Sequence, residues 1–164
     1  MAPIYSVFLY DGIVRDAIHA LKYRGGQDVV EPLSSRMAES WHDRGLQSDL
    51  LVPVPLHESR EAERGYNQSA LLARALAPRV GVPSEEALLF RVRRTASQTK
   101  LSQAERWHNV RDAFACVETY DLSNLSLTLV DDVATTGATL DACAVALLDR
   151  GARVVNAFTL ARAA

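Results

Sequence analysis

The stretch LTLVDDVATTGATL, from Leu127 to Leu140, decides the fold of this chain. An apolar run ends there in two adjacent carboxylates, Asp131 and Asp132, and a loop of small and hydroxyl-bearing residues follows. An almost fully apolar strand is typical of the interior of a parallel sheet. After the loop, leucines and alanines recur at helical spacing until Gly151. The stretch therefore predicts a buried strand, a tight loop and a helix, with both acids at the carboxyl end of the strand.

The rest of the chain repeats this alternation of apolar runs and amphipathic segments. Strands are predicted for DLLVPVP, ALLFRV, SLTLV and RVVNAFTLA. Helices are predicted for IVRDAIHALKY, for about residues 29–41, for the segment that Asn67 can cap and for the segment that begins at Ser102. Such alternation predicts an α/β domain with a mostly parallel sheet. Ligands of such sheets bind beyond the carboxyl ends of the strands, where both PVPLH and DDVATTGAT fall.

Composition limits the class of protein. The chain has 164 residues, 48% of them hydrophobic, which suits one compact domain, and its formal charge of -2 does not suit a nucleic-acid-binding tail. Cys116 and Cys143 stand far apart, so they predict neither a zinc site nor a disulfide framework and are expected in the core. The N-terminal residues lack the features of a signal peptide, and no apolar run reaches the ~20 residues of a membrane span. A cytoplasmic protein is therefore expected.

The loop between the acids and the helix suits a phosphate. A helix N-terminus offers free backbone N–H groups and a partial positive charge. Gly137 can adopt a positive φ, and Thr135, Thr136 and Thr139 add hydroxyl donors. Two carboxylates beside this loop would repel a bare phosphate, but they can accept hydrogen bonds from vicinal hydroxyls. A ribose that carries a 5′-phosphate presents both features.

Other interpretations of this motif fit less well. A P-loop requires a lysine after its last glycine, whereas Ala138 follows Gly137. Receiver domains carry paired acids near their first strand, and here the acids lie near the last. A solvated acidic strand end would explain two adjacent aspartates alone, but it does not explain the whole pattern.

The motif LTLVDDVATTGAT resembles the 5-phosphoribosyl-1-pyrophosphate (PRPP) motif of type I phosphoribosyltransferases. The resemblance implies that Asp131 and Asp132 contact the ribose hydroxyls. It also implies that the 5′-phosphate is held by the loop residues Ala134, Thr135, Thr136, Gly137, Ala138 and Thr139.

Further segments narrow the resemblance to the ComF family, named for a competence protein of DNA uptake. They are YDGIVRDAIHALKYRGG, PVPLHESREAERGYNQSALLA and RVRRTASQTKLSQAERWHNVRDAF, in that order before the PRPP motif, so the resemblance covers nearly all of residues 5–162. RGYNQ and RTASQTKLS are its most particular parts. Proteins of this family usually begin with a four-cysteine zinc ribbon, and nothing before Ile4 in this sequence could form one.

The resemblance also implies a pyrophosphate loop. Its residues are Pro53, Val54, Pro55, Leu56, His57, Arg64, Asn67 and Gln68. For several of them a second interpretation stays open. Asn67 can cap a helix as well as bind an anion, and His57 can be a surface loop residue. Lys22 can reach the site or simply follow the preference of a helix C-terminus for cations.

A locally basic stretch runs from Arg91 to Arg111. It coincides with the mobile catalytic loop of phosphoribosyltransferases, which implies that Arg94 and Lys100 stabilise the departing pyrophosphate as catalytic residues with Asp131 and Asp132. A second interpretation is a nucleic-acid surface on which Trp107 and Tyr66 stack against bases. A third is a solvated helix face with Trp107 packed in the core.

The resemblance thus implies the type I phosphoribosyltransferase fold: an α/β domain with a Rossmann-like parallel sheet of about five strands flanked by helices. A small N-terminal hood is expected over about residues 1–45 and the core over about 46–164.

The expected ligand is PRPP or a related ribose 5-phosphate with substrate-bound Mg²⁺, and the expected activity is phosphoribosyl transfer in DNA uptake. The alternative is a non-catalytic nucleotide or single-stranded DNA binding module. Other DNA-uptake proteins and a second copy of the chain are the expected partners.

Overall fold

The computed structural model describes residues 3–23, 25–92 and 113–163. Its strands are β1 (Ile4–Leu9), β2 (Leu50–Pro53), β3 (Leu89–Arg91), β4 (Phe114–Cys116), β5 (Ser126–Ala134) and β6 (Val154–Arg162). Its helices are α1 (Gly12–Tyr23), α2 (Gln27–Asp43), α3 (Glu58–Arg64), α4 (Gln68–Val80) and α5 (Ala138–Asp149). The helix predicted from Ser102 lies outside the described residues.

Four parallel strands form the main sheet, in the order β1-β6-β5-β2. The sequence predicted about five strands for this sheet. The segment ALLFRV does form a strand, but only three of its residues pair, and they pair antiparallel with β4 in a separate two-stranded sheet. Strand β1 instead pairs with β6 at an edge of the main sheet, so residues 4–9 of the predicted hood are part of the sheet.

Helices cover both faces of the main sheet. On one face α1, α2 and α4 bury a core whose largest members include Ile18, Met37, Leu72 and Phe158. On the other face α5 and the β3–β4 pair cover a second core, which includes both cysteines as predicted. Burial of these side chains supplies the main favourable term in folding. Within the part of the chain that the structure describes, no helix is both long and apolar enough to cross a membrane.

The order of the strands sets the position of the candidate site. Strands β2 and β5 are neighbours, with Pro53 opposite Val130, and the backbone N–H of Val54 donates to the carbonyl of Val130 at 2.9 Å. The segment after β2 therefore leaves the sheet directly beside the two acids at the end of β5. The two segments singled out in the sequence come together at the carboxyl edge of the sheet, where ligands of parallel sheets bind.

Candidate functional site

The two carboxylates of the site have different partners. Asp131 and Asp132 follow each other on β5, and successive side chains of a strand point to opposite faces of the sheet. Asp131 is partly buried, whereas only 4% of Asp132 is exposed. The two carboxyl groups therefore differ in exposure, and their contact with a ribose stays a prediction.

Asp132 forms an ion pair with Lys22 from the last turn of α1. The Nζ atom of Lys22 lies 2.8 Å from Oδ2 of Asp132, and Oδ1 accepts a hydrogen bond from the backbone of Val133 at 2.9 Å. Burial opposes the charge on Lys22, but the attraction of the Asp132 carboxylate and the hydrogen bond that Lys22 donates to it outweigh burial and raise the pKa of Lys22. Each oxygen of Asp132 therefore has a partner in the described part of the chain.

Asp131 is held by a hydroxyl from α4. Its Oδ1 accepts hydrogen bonds from Oγ of Ser69 at 2.8 Å and from the backbone N–H of Asp132 at 2.9 Å. Burial, and secondly the nearby charge of Asp132, raise the pKa of Asp131 to about 8, although the bond from Ser69 acts in the opposite direction. The Asp131 carboxyl group therefore holds a proton more tightly than an exposed aspartate does.

A chain of hydrogen bonds joins the segment after β2 to Asp131. Nδ2 of Asn67 donates to the carbonyl of Val54 at 3.0 Å, and Oδ1 of Asn67 accepts from the backbone N–H of Ser69 at 3.0 Å. Asn67 is the N-cap of α4, which confirms the capping prediction. Because Ser69 in turn donates to Asp131, two predicted parts of the site are connected through buried side chains.

The threonine-rich loop turns from β5 into α5 as predicted. Gly137 has φ +82° and precedes the first residue of the helix, a conformation that glycine adopts readily. Oγ1 of Thr136 accepts a hydrogen bond from the backbone N–H of Ala138 at 3.3 Å. Burial differs along the loop: Ala134, Gly137 and Ala138 are buried, Thr136 and Thr139 are partly buried, and Thr135 is exposed.

The predicted pyrophosphate residues divide into a buried and a more accessible group. Pro53 and Val54 are buried, and Pro55, Leu56 and His57 are partly buried. The imidazole of His57 is the N-cap of α3, since its Nδ1 accepts from the backbone N–H of Ser59 at 3.2 Å.

Arg64 and Gln68 contact each other. Nη1 of Arg64 donates a hydrogen bond to Oε1 of Gln68. Gln68 is a buried residue that is 5% exposed. The guanidinium of Arg64 also lies over the ring of Tyr23, with its central carbon 5.3 Å from the ring centroid. Arg64 is thus positioned from two sides.

The basic stretch between β3 and β4 falls largely outside the described residues. Arg94, Lys100 and Trp107 lie there, so their predicted roles stay predictions. Arg91, at the end of β3, is described, and its guanidinium lies over the ring of Phe114 with its central carbon 5.2 Å from the centroid.

Sequence patterns did not predict the role of Ser69, and they left that of Lys22 open. Ser69 lies two residues beyond the helix cap, where a serine is ordinary, and nothing local in the sequence pairs it with Asp131. Lys22 lies in the last turn of α1, where cations are common because they interact favourably with the helix C-terminus. Only the packing of α1 and α4 on the end of β5 shows that each contacts one of the two acids.

The chain is similar to curated proteins named for competence and DNA utilization. It is 35% identical over 150 residues to the DNA utilization protein YhgH of Salmonella typhimurium, which covers 88% of this chain and 65% of that protein. It is 32% identical over 162 residues to the competence protein ComFC of Bacillus subtilis, covering 96% of this chain and 63% of the relative. The competence protein F of Haemophilus influenzae is 35% identical over 132 residues, covering 80% and 57% respectively. The chain thus spans less than two thirds of these relatives.

Solved phosphoribosyltransferases share the fold. The glutamine PRPP amidotransferase of B. subtilis matches with a TM-score of 0.54 at 22% identity, over 82% of this chain and 27% of that one. The adenine phosphoribosyltransferase of Thermoanaerobacter pseudethanolicus matches with a TM-score of 0.53 at 16% identity, over 82% and 80%. No protein-family model matches the chain. These similarities confirm the predicted resemblance to ComF-type proteins and the predicted phosphoribosyltransferase fold.

Proposed function

We propose that this ComF-like chain, which has the type I phosphoribosyltransferase fold, binds PRPP or a related ribose 5-phosphate ligand at the carboxyl edge of its main sheet. The observation that carries the proposal is the junction of β5 and α5. One strand end presents the partly buried Asp131, and the loop that follows turns through Gly137 into the N-terminus of a twelve-residue helix. A hydroxyl-binding group and an anion-binding group thus follow each other directly, as a sugar phosphate requires.

Asp131 is the first contact of the sugar in this proposal. Its carboxyl group, with a pKa of about 8, can accept a hydrogen bond from one ribose hydroxyl and, while protonated, donate to another oxygen. Asp132 takes part only after the ion pair with Lys22 has opened. The ligand therefore has to replace the Lys22 ammonium as the partner of the Asp132 carboxylate, either with hydroxyl donors or with a cation bound to the ligand.

Magnesium is a natural source of that compensation. Mg²⁺ keeps several waters and binds mainly through substrate phosphates and one or two carboxylates. The described residues fit this role, because two carboxylates lie at the strand end beside the loop proposed for the pyrophosphate. When bound with the ligand, Mg²⁺ would neutralise phosphate charge, while Asp131 orients the sugar.

If the protein is a transferase, the bond between C1 of the ribose and the pyrophosphate oxygen breaks and a bond from C1 to the acceptor forms. Asp131 then fixes the position of the ring, and the helix N-terminus of α5 holds the 5′-phosphate. We assign stabilisation of the departing pyrophosphate to Arg94 and Lys100 as part of the same proposal. The proposal includes a cytoplasmic location.

A second candidate function is binding of a nucleotide or of single-stranded DNA without turnover in DNA uptake. The names of the relatives, competence protein and DNA utilization protein, favour it. Incubation with PRPP, Mg²⁺ and a panel of bases and amines, followed by detection of pyrophosphate, separates the two. Release of pyrophosphate above the rate without protein supports the transferase. PRPP binding without release, together with salt-sensitive DNA binding, supports the module.

A further inference from the structure

The motif RGYNQ, which joins α3 to α4, contacts the last turn of α1. The hydroxyl of Tyr66 donates a hydrogen bond to the backbone carbonyl of Leu21. The guanidinium of Arg64 lies over the ring of Tyr23, with its central carbon 5.3 Å from the ring centroid. Leu21 and Tyr23 are the two neighbours of Lys22 in the chain. The motif therefore holds this turn of α1 on both sides of the lysine.

The residues that follow Tyr66 hold the other acid of the site. Asn67 caps α4 by accepting a hydrogen bond from the backbone N–H of Ser69 at 3.0 Å. Oγ of Ser69 in turn donates to Oδ1 of Asp131 at 2.8 Å. One short stretch of chain thus positions Asp131 directly, and it also positions the lysine that is paired with Asp132.

The ammonium of Lys22 lies where a cation would meet the acids of the site. Its Nζ atom is 2.8 Å from Oδ2 of Asp132, and only 26% of the lysine side chain and 6% of the aspartate side chain are exposed. Burial lowers the pKa of Lys22, but the charge of Asp132 and, more weakly, that of Asp131 raise it above the ordinary value. Like charges repel each other most strongly where little water screens them, so this ammonium opposes the binding of a second cation at Asp132.

We propose that Lys22 is an internal counter-ion that takes the place of the ligand's divalent cation at Asp132, and that Tyr66 and Arg64 keep it there. The inference rests on the proposed PRPP site, and it adds the residues that decide when a cation can bind. Mg²⁺ dehydrates reluctantly, so it does not displace a fixed ammonium by itself. The chain alone therefore binds divalent cations weakly, and a cation enters together with the phosphates that carry it. Tyr66 is a positioning residue, because it acts on Asp132 through Lys22.

The test titrates Mn²⁺, a paramagnetic substitute for Mg²⁺, into the full chain without PRPP and measures the free ion by electron paramagnetic resonance. Lys22→Met removes the ammonium and should tighten Mn²⁺ binding by about tenfold or more. Lys22→Arg keeps a positive charge beside Asp132 and should bind Mn²⁺ within about twofold of the native chain. In Lys22→Met with Asp132→Asn the gain should disappear, which assigns the bound ion to Asp132.

Tyr66→Phe tests the positioning role, since it keeps the ring and removes the hydroxyl that bonds to Leu21. It should tighten Mn²⁺ binding by about threefold, because the last turn of α1 is held less firmly and the ion pair opens more often. Tyr120→Phe is the matched control. Tyr120 lies between β4 and β5, and its hydroxyl also bonds within the chain, to Glu85, so its loss should leave Mn²⁺ binding unchanged.

The proposal is overturned if Lys22→Met binds Mn²⁺ no more tightly than the native chain, if Lys22→Arg gains as much as Lys22→Met, or if the gain survives Asp132→Asn. If Lys22→Met does not fold, Tyr66→Phe decides: Mn²⁺ affinity equal to that of Tyr120→Phe would overturn the proposal. Failure of the native chain to bind PRPP would contradict the proposed function and leave these Mn²⁺ results unchanged, so the two failures are distinguishable.

Discussion

The ammonium of Lys22 lies 2.8 Å from Oδ2 of Asp132 and ties the last turn of α1 to the carboxyl end of β5. One acid of the pair is thereby compensated inside the protein, while its neighbour Asp131 accepts hydrogen bonds from a hydroxyl and from a backbone N–H. The two aspartates of the motif are therefore not equivalent. Asp132 anchors the first helix, and Asp131 is the carboxyl group that we propose as the first contact of the ligand.

Breaking this ion pair should destabilise the fold. Lys22→Met leaves Asp132 buried without a counter-charge and should lower the free energy of unfolding by about 2 kcal/mol, less than for a fully buried pair because Lys22 is partly exposed. Lys22→Met with Asp132→Asn should recover a large part of the loss. Chemical denaturation of all four members of the cycle measures the coupling. The exposed pair Arg36–Glu39 is the control and should couple by less than about 0.5 kcal/mol. Equal coupling in both pairs would refute the anchoring role.

The hydroxyl of Ser69 should control Asp131. Ser69→Ala removes a hydrogen bond that lowers the pKa of Asp131, so this pKa should rise further, as read by NMR of the labelled carboxyl carbon. PRPP affinity should fall about fivefold to tenfold, because the carboxyl group is no longer oriented. Ser34→Ala is the matched control: Ser34 is equally buried, and its hydroxyl bonds within α2 to the carbonyl of Glu31. A similar loss of affinity in both variants would show that Ser69 acts only through stability.

Stability should depend on pH through Asp131. Its pKa is higher in the folded chain than the ordinary value of 3.8, so the folded state holds this proton more tightly than the unfolded state. The stabilisation is complete below about pH 4 and is lost as the pH rises towards about 8. The melting temperature should therefore fall by about 5 °C more over this window in the native chain than in Asp131→Asn. Differential scanning fluorimetry across pH checks this, and parallel curves would contradict the raised pKa.

The position of Gly137 allows a test of phosphate binding that does not depend on stability. Asparagine tolerates a positive φ, so Gly137→Asn should melt within a few degrees of the native chain. Its side chain should obstruct the anion, and affinity for ribose 5-phosphate should fall about tenfold or more. Gly81→Asn, at a C-cap with φ +69° and open space around it, is the control and should leave affinity unchanged. Unchanged affinity in Gly137→Asn would show that the phosphate binds elsewhere.

The elements that could be predicted from sequence are those with strong local patterns. In the strand from Ser126 to Ala134 and in the helix after Gly137, the apolar composition, the spacing of the apolar residues and the position of the glycine all indicate the same structure. The N-terminal strand Ile4–Leu9 was not predicted. It has only six residues and lies at the edge of the main sheet, and the sequence around it has no pattern that distinguishes a strand from a loop. Strand β3 was predicted, but its antiparallel partner was not, since pairing depends on a segment distant in the chain.

The candidate site was predictable in its residue types and less so in its contacts. The capping role of Asn67 depends on local geometry and could be predicted. The period of a strand predicts different surroundings for Asp131 and Asp132, but it does not predict their partners. Lys22 and Ser69 come from helices more than sixty residues away along the chain, and only tertiary packing brings them to the acids.

The central claim is that Asp131 and the loop after it hold a ribose 5-phosphate, and calorimetric titration of PRPP with Mg²⁺ tests it most directly. The native chain should bind, and Asp131→Asn should lose about tenfold or more, because an amide does not reproduce the hydrogen bonds of the carboxyl group to the ribose hydroxyls. Asp121→Asn, an exposed acid in a turn before β5, should bind as the native chain does. No heat of binding in the native chain, or equal affinity in Asp131→Asn, would contradict the account.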